Sequence, residues 1–287
     1  MIKKPKISSE WKALFKPEIY GNYVNDHSII EDVQGKWHLF GITSKTVNPS
    51  DERYFVHGIS DTRLFAGNMQ EAGKVIDTGT CAWAPGVIAH DNKYYMYYGP
   101  SPTKLSISTD LNEWMGYEIN LIGNPPLSCH RDHFVMKLND YTWIMYVSGI
   151  KDGYGAISCL VSNDLLNWRF VQYALTSSEN APLKPAWGAF ESPYVVKLDN
   201  IYYLFVTYTD CNIKNYQNTL VFASENPYDF GNYTGDNHNN MVVTTIPVHA
   251  GEIIKDDDSY YITACGWNNM GIPIESAVSI AKLDWIQ

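Results

Sequence analysis

The chain has 287 residues, 45% hydrophobic and 18% charged, which is enough apolar material for a sizeable core and enough length for one large β domain. Its formal net charge of −10 argues against nucleic acid or an anionic membrane as partner and is compatible with a small neutral one. Lys3, Lys4 and Lys6 are followed by no apolar stretch, and Cys81, Cys129, Cys159, Cys211 and Cys265 are widely spaced without a CxxC pair, so the expectation is a cytoplasmic protein with reduced thiols.

Along the chain an apolar pair or triplet runs into a polar turn and out into an aromatic-rich strand. The copies are Ile29-Ile30 to Trp37-Phe40, Val87-Ile88 to Tyr94-Tyr98, Phe134-Val135 to Trp143-Tyr146, Tyr194-Val195-Val196 to Tyr202-Phe205, and Ile253-Ile254 to Tyr260-Ile262. The turns, Gln34-Gly35, Asp91-Asn92, Asn139-Asp140, Asp199-Asn200 and Asp256-Asp257-Asp258, carry residues that tolerate positive φ and so favour hairpins. Second strands such as Tyr94-Tyr95-Met96-Tyr97-Tyr98 are apolar on both faces, as a strand between two neighbouring sheets requires. A third strand and a turn complete each unit. Two of these turns share a Ser-x-Asp-Leu-x-x-Trp pattern, Ser108 to Trp114 and Ser162 to Trp168, read as an Asp-capped structural turn.

A unit too small to bury its own faces, repeated five times, predicts a radial all-β architecture: a five-bladed β-propeller filling residues 1–287 as a single domain. At the head of three units stands a carboxylate: Asp26 in Asn25-Asp26-His27, Asp132 in Arg131-Asp132-His133, and Glu191 in Glu191-Ser192-Pro193. If the first strand of each blade lines the axis, these three converge at one end of it. Glu252 begins the fifth unit and is a weaker candidate for the same place.

These motifs resemble those of the five-bladed β-propeller glycoside hydrolases, the superfamily of families 43 and 32. Asn25-Asp26 with Tyr23 before it is similar to the Asn-Asp-Pro motif of the first catalytic Asp, Arg131-Asp132 to the Arg-Asp-Pro motif, Glu191-Ser192-Pro193 to the motif of the acid, and Trp83-Ala84-Pro85 to the second-blade motif of family 43. The sequence departs from the pattern at His27, His133 and Gly86. Over nearly the whole chain the resemblance implies a glycosidase acting on a small carbohydrate, with a furanoside such as a fructoside or arabinofuranoside as the expected substrate. No cofactor is expected for the chemistry. His249 matches a last-blade histidine that in some relatives lies beneath the active site and coordinates a central cation through water, so a structural calcium at the axis is an expectation of the resemblance alone.

The chemistry explains the residue types. An oxocarbenium-like transition state needs a proton donor at the leaving oxygen and a carboxylate across the ring. Glu191, with apolar Phe190, Pro193 and Trp187 near it, is the expected donor, Asp26 the nucleophile or base, and Asp132 the stabiliser, with Arg131 orienting it or gripping the substrate. Carboxyls about 5 to 5.5 Å apart retain configuration, and roughly 6.5 to 9.5 Å leaves room for water and inverts it. His27, His133, Trp83 and Trp187 are the further substrate-binding candidates. A phosphorylase or transglycosylase, and a non-catalytic sugar-binding propeller, are the alternatives on the same fold. No motif specifies the sugar, the linkage or an oligomeric state.

Overall fold

The structure is a computed structural model that describes residues 1–123, 128–178, 190–208, 218–235, 241–267 and 273–287. Five mostly antiparallel sheets form a five-bladed propeller, each stepping outward from an innermost strand. In blade I the order is His27–Glu31, Trp37–Ile42, Phe55–Ser60 and Gln70–Val75. Blade II runs Trp83–His90, Lys93–Gly99, Lys104–Ser108 and Met115–Tyr117. The four long strands of blade III are Ser128–Asn139, Thr142–Lys151, Tyr154–Ser162 and Asn167–Ser177; Asn120–Ile122 and Asn232–Tyr233 add parallel pieces to its outer edge. Phe190–Leu198, Ile201–Tyr208, Thr219–Ser224 and Val242–Ile246 make blade IV.

Blade V closes the ring. Its inner strands Ile253–Asp256, Ser259–Ala264 and Val278–Ile286 come from the end of the chain, and its outermost strand, Lys4–Ile7, comes from the beginning, paired antiparallel from Lys4 with Ile286 to Ile7 with Leu283. A second N-terminal strand, Lys12–Phe15, pairs with the other end of Val278–Ile286. Three strands per unit are expected from the sequence, and the blades have four. The fourth strands escape that reading because they lack its apolar signature: Met115–Tyr117 is exposed throughout, and Gln70–Val75 is buried only at its last residue.

The core lies between blades rather than inside any one of them. Tyr94, Met96 and Tyr98 pack with Phe40 and Phe55 between blades I and II, while Tyr95 and Tyr97, pointing the other way, pack with Met145, Leu160 and Trp168 between blades II and III. Each such burial of a large side chain stabilises by about 1.5–3 kcal/mol. The paired Ser-x-Asp turns are structural, as expected: Asp110 Oδ1 accepts from the Asn112 and Glu113 amides, Trp114 Nε1 donates to the Leu111 carbonyl at 3.2 Å, and Asp164, Leu165 and Trp168 repeat the pattern. The described cysteines Cys81, Cys129, Cys159 and Cys265 are free thiols; Cys211 lies outside the described residues. No described helix is long and apolar enough to cross a membrane.

Near the head of the innermost strands the backbone turns sharply. Ala84, Asp132, Ser192 and Ala250 all have φ between 49° and 56°, and the strand registers slip between Trp83 and Gly86, Arg131 and His133, and Glu191 and Tyr194. Bulges of this kind re-aim side chains, and here they recur at the head of the innermost strand in three blades, with the same positive φ at Ala250 in blade V. Blades II and III approach closely at Gly86, where a Cβ would overlap the His133 carbonyl oxygen. Gly86→Ala should therefore lower unfolding stability by about 1–3 kcal/mol in urea denaturation, whereas Gly116→Ala, with open space around it, should leave it within about 0.5 kcal/mol.

Candidate active site

An axial cavity of about 290 Å³ is lined by residues of all five blades, among them Asp26, Ala84, Asp132, Ser192 and Ala250 at the level of the bulges. The topology thus brings together the three carboxylates read from the sequence. Asp132 and Glu191 are 7% and 9% exposed, and each is linked to the others through a neighbour. Ser192 joins two of them: its N–H donates to Asp132 Oδ2 at 3.0 Å and its hydroxyl donates to Asp26 Oδ1. Arg131 joins another pair, with Nη2 donating to Glu191 Oε1 at 2.9 Å and Nε 3.4 Å from Asp132 Oδ2. Glu191 and Arg131 flank the cavity wall instead of forming part of it.

Burial sets the charge state. It raises the pKa of Asp26, with the Ser192 hydrogen bond and Arg131 pulling the other way. Asp132 is raised to about 6 and Glu191 to about 7, burial outweighing Arg131 in both, and the negative neighbours add to it. Glu191 can therefore hold and release a proton near neutrality, the property a general acid needs. The Arg131 guanidinium is engaged by two carboxylates, which ties it to orienting them.

His27 and His133 both line the cavity, and both also staple blades. His27 shares a hydrogen bond through Nε2 with Thr263 Oγ1 of blade V, and His133 through Nε2 with Thr103 Oγ1 of blade II, each at 2.8 Å. Burial lowers their pKa to about 4 and about 3, so both are neutral at pH 7. The substrate contacts expected of them are thus limited to the remaining ring atoms; His133 Nδ1 is buried with no hydrogen-bond partner. Trp83 starts the innermost strand of blade II and is half-buried. Trp187 lies outside the described residues.

His249 stands beside the acid, Nε2 3.9 Å from Glu191 Oε2, with its Nδ1 3.1 Å from Cys265 Sγ. Among the described residues no group of three or more His, Cys, Asp or Glu side chains could hold a metal ion. The described groups at His249, one thiol and a carboxylate already paired with Arg131, form no set of direct ligands for a calcium, and no step of the chemistry is routed through one.

Two further carboxylates belong to the neighbourhood. Glu252 lines the cavity, accepts the Ile29 amide at Oε2 (2.8 Å) beside the Ser28 hydroxyl, and is raised to about 8 by burial. Its place at the start of the fifth unit was the available signal. Glu52, in the connection between the second and third strands of blade I, accepts the Tyr23 hydroxyl at 2.7 Å and is raised to about 7 by burial, with Asp26 adding to the shift. A single Glu in a polar connection gives no sequence signal, and Glu52 was missed.

No protein-family model and no curated protein matches the sequence. Among solved structures, a Bombyx mori GH32 β-fructofuranosidase in complex with sucrose matches with a TM-score of 0.66 at 17% identity, covering 94% of this chain and 62% of the other. A thermostable family-43 glycoside hydrolase matches with a TM-score of 0.66 at 17% identity over 94% of this chain and 92% of its own. A GH43 β-xylosidase/α-arabinofuranosidase from a compost microbial metagenome, in complex with xylotriose, gives 0.64 at 16% over 98% and 95%. The chain spans less than two thirds of the fructofuranosidase but nearly all of the two family-43 structures. At these identities the likeness establishes the fold, the five-bladed propeller of these glycosidases.

Glu252 offers a direct check on the electrostatics. Its folded-state pKa near 8 lies above that of an unfolded glutamate, so the stability it contributes is complete at low pH and is lost as pH rises through about 8. Glu252→Gln should accordingly lose less stability than wild type between pH 6 and 9, by at least about 1 kcal/mol in denaturant titrations at the two ends.

Proposed function

We propose that the protein is a glycoside hydrolase acting on small oligosaccharides or glycosides, with a furanoside such as a fructoside or arabinofuranoside as substrate. The observation that carries the reading is the meeting of half-buried Asp26 with buried Asp132 and Glu191, from blades I, III and IV, cross-linked by Ser192 and Arg131. Support also comes from the fold, which holds sucrose in one neighbour and xylotriose in another.

In this reading Glu191 protonates the leaving oxygen. Its pKa near 7, set by burial against Arg131, leaves a large protonated fraction at neutral pH. Asp26, charge-stabilised by Ser192 and Arg131, acts across the ring as nucleophile or as base toward water. Asp132 accepts from sugar hydroxyls and offsets the positive charge that develops at the anomeric carbon. Arg131 holds Asp132 and Glu191 at fixed separation. Trp83 supplies an aromatic face for stacking on a sugar ring, and His133 a ring nitrogen for a hydroxyl.

The test is turnover of a panel of aryl furanosides and pyranosides, sucrose, and short fructans and arabinans. A furanoside should be hydrolysed, and Glu191→Gln should lower kcat by a factor of about 10² to 10⁴. The wild-type rate should fall as pH rises through about 7, where Glu191 loses its proton. Sugar binding without turnover, equal in wild type and variant, would replace this reading with that of a binding module.

A further inference from the structure

Ser192 grips a carboxylate with each of its two donors. Its N–H reaches Asp132 in blade III and its hydroxyl reaches Asp26 in blade I, while its own strand belongs to blade IV. The arrangement depends on the bulge between Glu191 and Tyr194 and on φ of 50° at Ser192, a left-handed conformation that non-glycine residues adopt rarely. Ala84, Asp132 and Ala250 share this conformation in their own blades, so it belongs to the head of the innermost strand, and at Ser192 it aims both donors at carboxylates.

A serine hydroxyl carries one proton. With that proton given to Asp26 Oδ1, one lone pair of this oxygen is engaged and its basicity is lowered, which leaves Oδ2 the better oxygen for a proton or for attack. We propose that Ser192 is a positioning residue that sets Asp26 and Asp132 in fixed relation and selects Oδ2 of Asp26 as the reacting atom. The proposal rests on the glycoside hydrolase reading for the word reacting; the grip on Asp26 stands without it. A hydrogen bond to a carboxylate favours the ionised form, so Ser192 also opposes the burial that raises the pKa of Asp26. The charged or titratable groups facing Asp26 are Arg131 and Asp132 from blade III, Glu191 from blade IV, Glu252 and Cys265 from blade V, and Glu52 from its own blade. Of these, Arg131 alone is cationic at neutral pH, and its guanidinium is already engaged by the Cys129 carbonyl, Glu191 and Asp132.

The experiment compares wild type with Ser192→Ala and Ser192→Gly. Both keep the N–H to Asp132 and delete the hydroxyl, and glycine in addition suits the left-handed backbone, so a folding defect in one does not disable the test. Aspartate carboxyl carbons are labelled with carbon-13, the Asp26 resonance is identified by its disappearance in Asp26→Asn, and its midpoint is followed by NMR. The expected result is an upward shift of about one pH unit in both variants, a tenfold rise in proton affinity. The acid limb of kcat/KM should move by the same amount, kcat should fall by up to about tenfold at pH values below the wild-type Asp26 midpoint, and KM should be nearly unchanged. Ser192→Cys, a weaker donor, should fall between. An Asp26 midpoint that stays put or moves down in both folded variants would overturn the proposal. Absence of turnover in wild type would defeat the hydrolase reading alone, and the carboxyl titration would still decide whether Ser192 governs Asp26.

Discussion

A β-strand has two hydrogen-bonding edges, and the innermost strand of each blade can pair only one of them with its own sheet. The other faces the axis, where five such edges meet in a confined space. The structure answers with polar side chains reaching from one blade to the next. The Val87 amide donates to Ser28 Oγ between blades I and II, His133 and Thr103 join blades II and III, and the Ser192 amide donates to Asp132 between III and IV. The Ala250 amide donates to Thr207 Oγ1 between IV and V, and the Ile29 amide to Glu252 between V and I. Every junction has its own staple; four of the five are made by backbone amides, and two of those amides donate to carboxylates. Unpaired, each buried amide would cost about 1–3 kcal/mol.

The same staples make the site. A carboxylate that satisfies a strand edge is held at the axis, stripped of water and close to other carboxylates, which is the setting that shifts proton affinities upward. Asp132 and Glu252 are therefore structural and electrostatic at once. Arg131 keeps the cluster from excessive charge, and burial of its guanidinium between Asp132 and Glu191 gives both acids a fixed partner. Removing either partner of such a pair leaves a buried charge uncompensated, so the cluster is expected to act as a unit and single substitutions in it to be non-additive.

The sequence made some of this legible and hid the rest for a physical reason. Repeats were visible because each blade must place apolar residues on both faces of its second strand, and Tyr94 to Tyr98 does so explicitly. The head-of-strand carboxylates were visible because they recur at one register of that repeat. Hidden were features that depend on distant partners: the pairing of Lys4–Ile7 with the end of the chain, the hold of Thr263 on His27 across 236 residues, and that of Cys265 on His249. The histidines after Asp26 and Asp132 drew attention as substrate contacts, yet each has its Nε2 bonded to a threonine of a neighbouring blade, which local sequence does not encode. Ser192 stood in plain view inside the acid's motif, but its conformation, and hence its double grip, is a property of the bulge.

The central claim is that the axial carboxylates form a preorganised site for a positively charged, sugar-shaped transition state. Its most direct test is calorimetric titration with a furanose-shaped iminosugar, whose ring nitrogen mimics the oxocarbenium charge. The account predicts one binding site per chain, with affinity at least tenfold above that of the corresponding neutral sugar and lost in Asp26→Asn. Equal affinity for the charged and neutral rings, or binding untouched by Asp26→Asn, would contradict it.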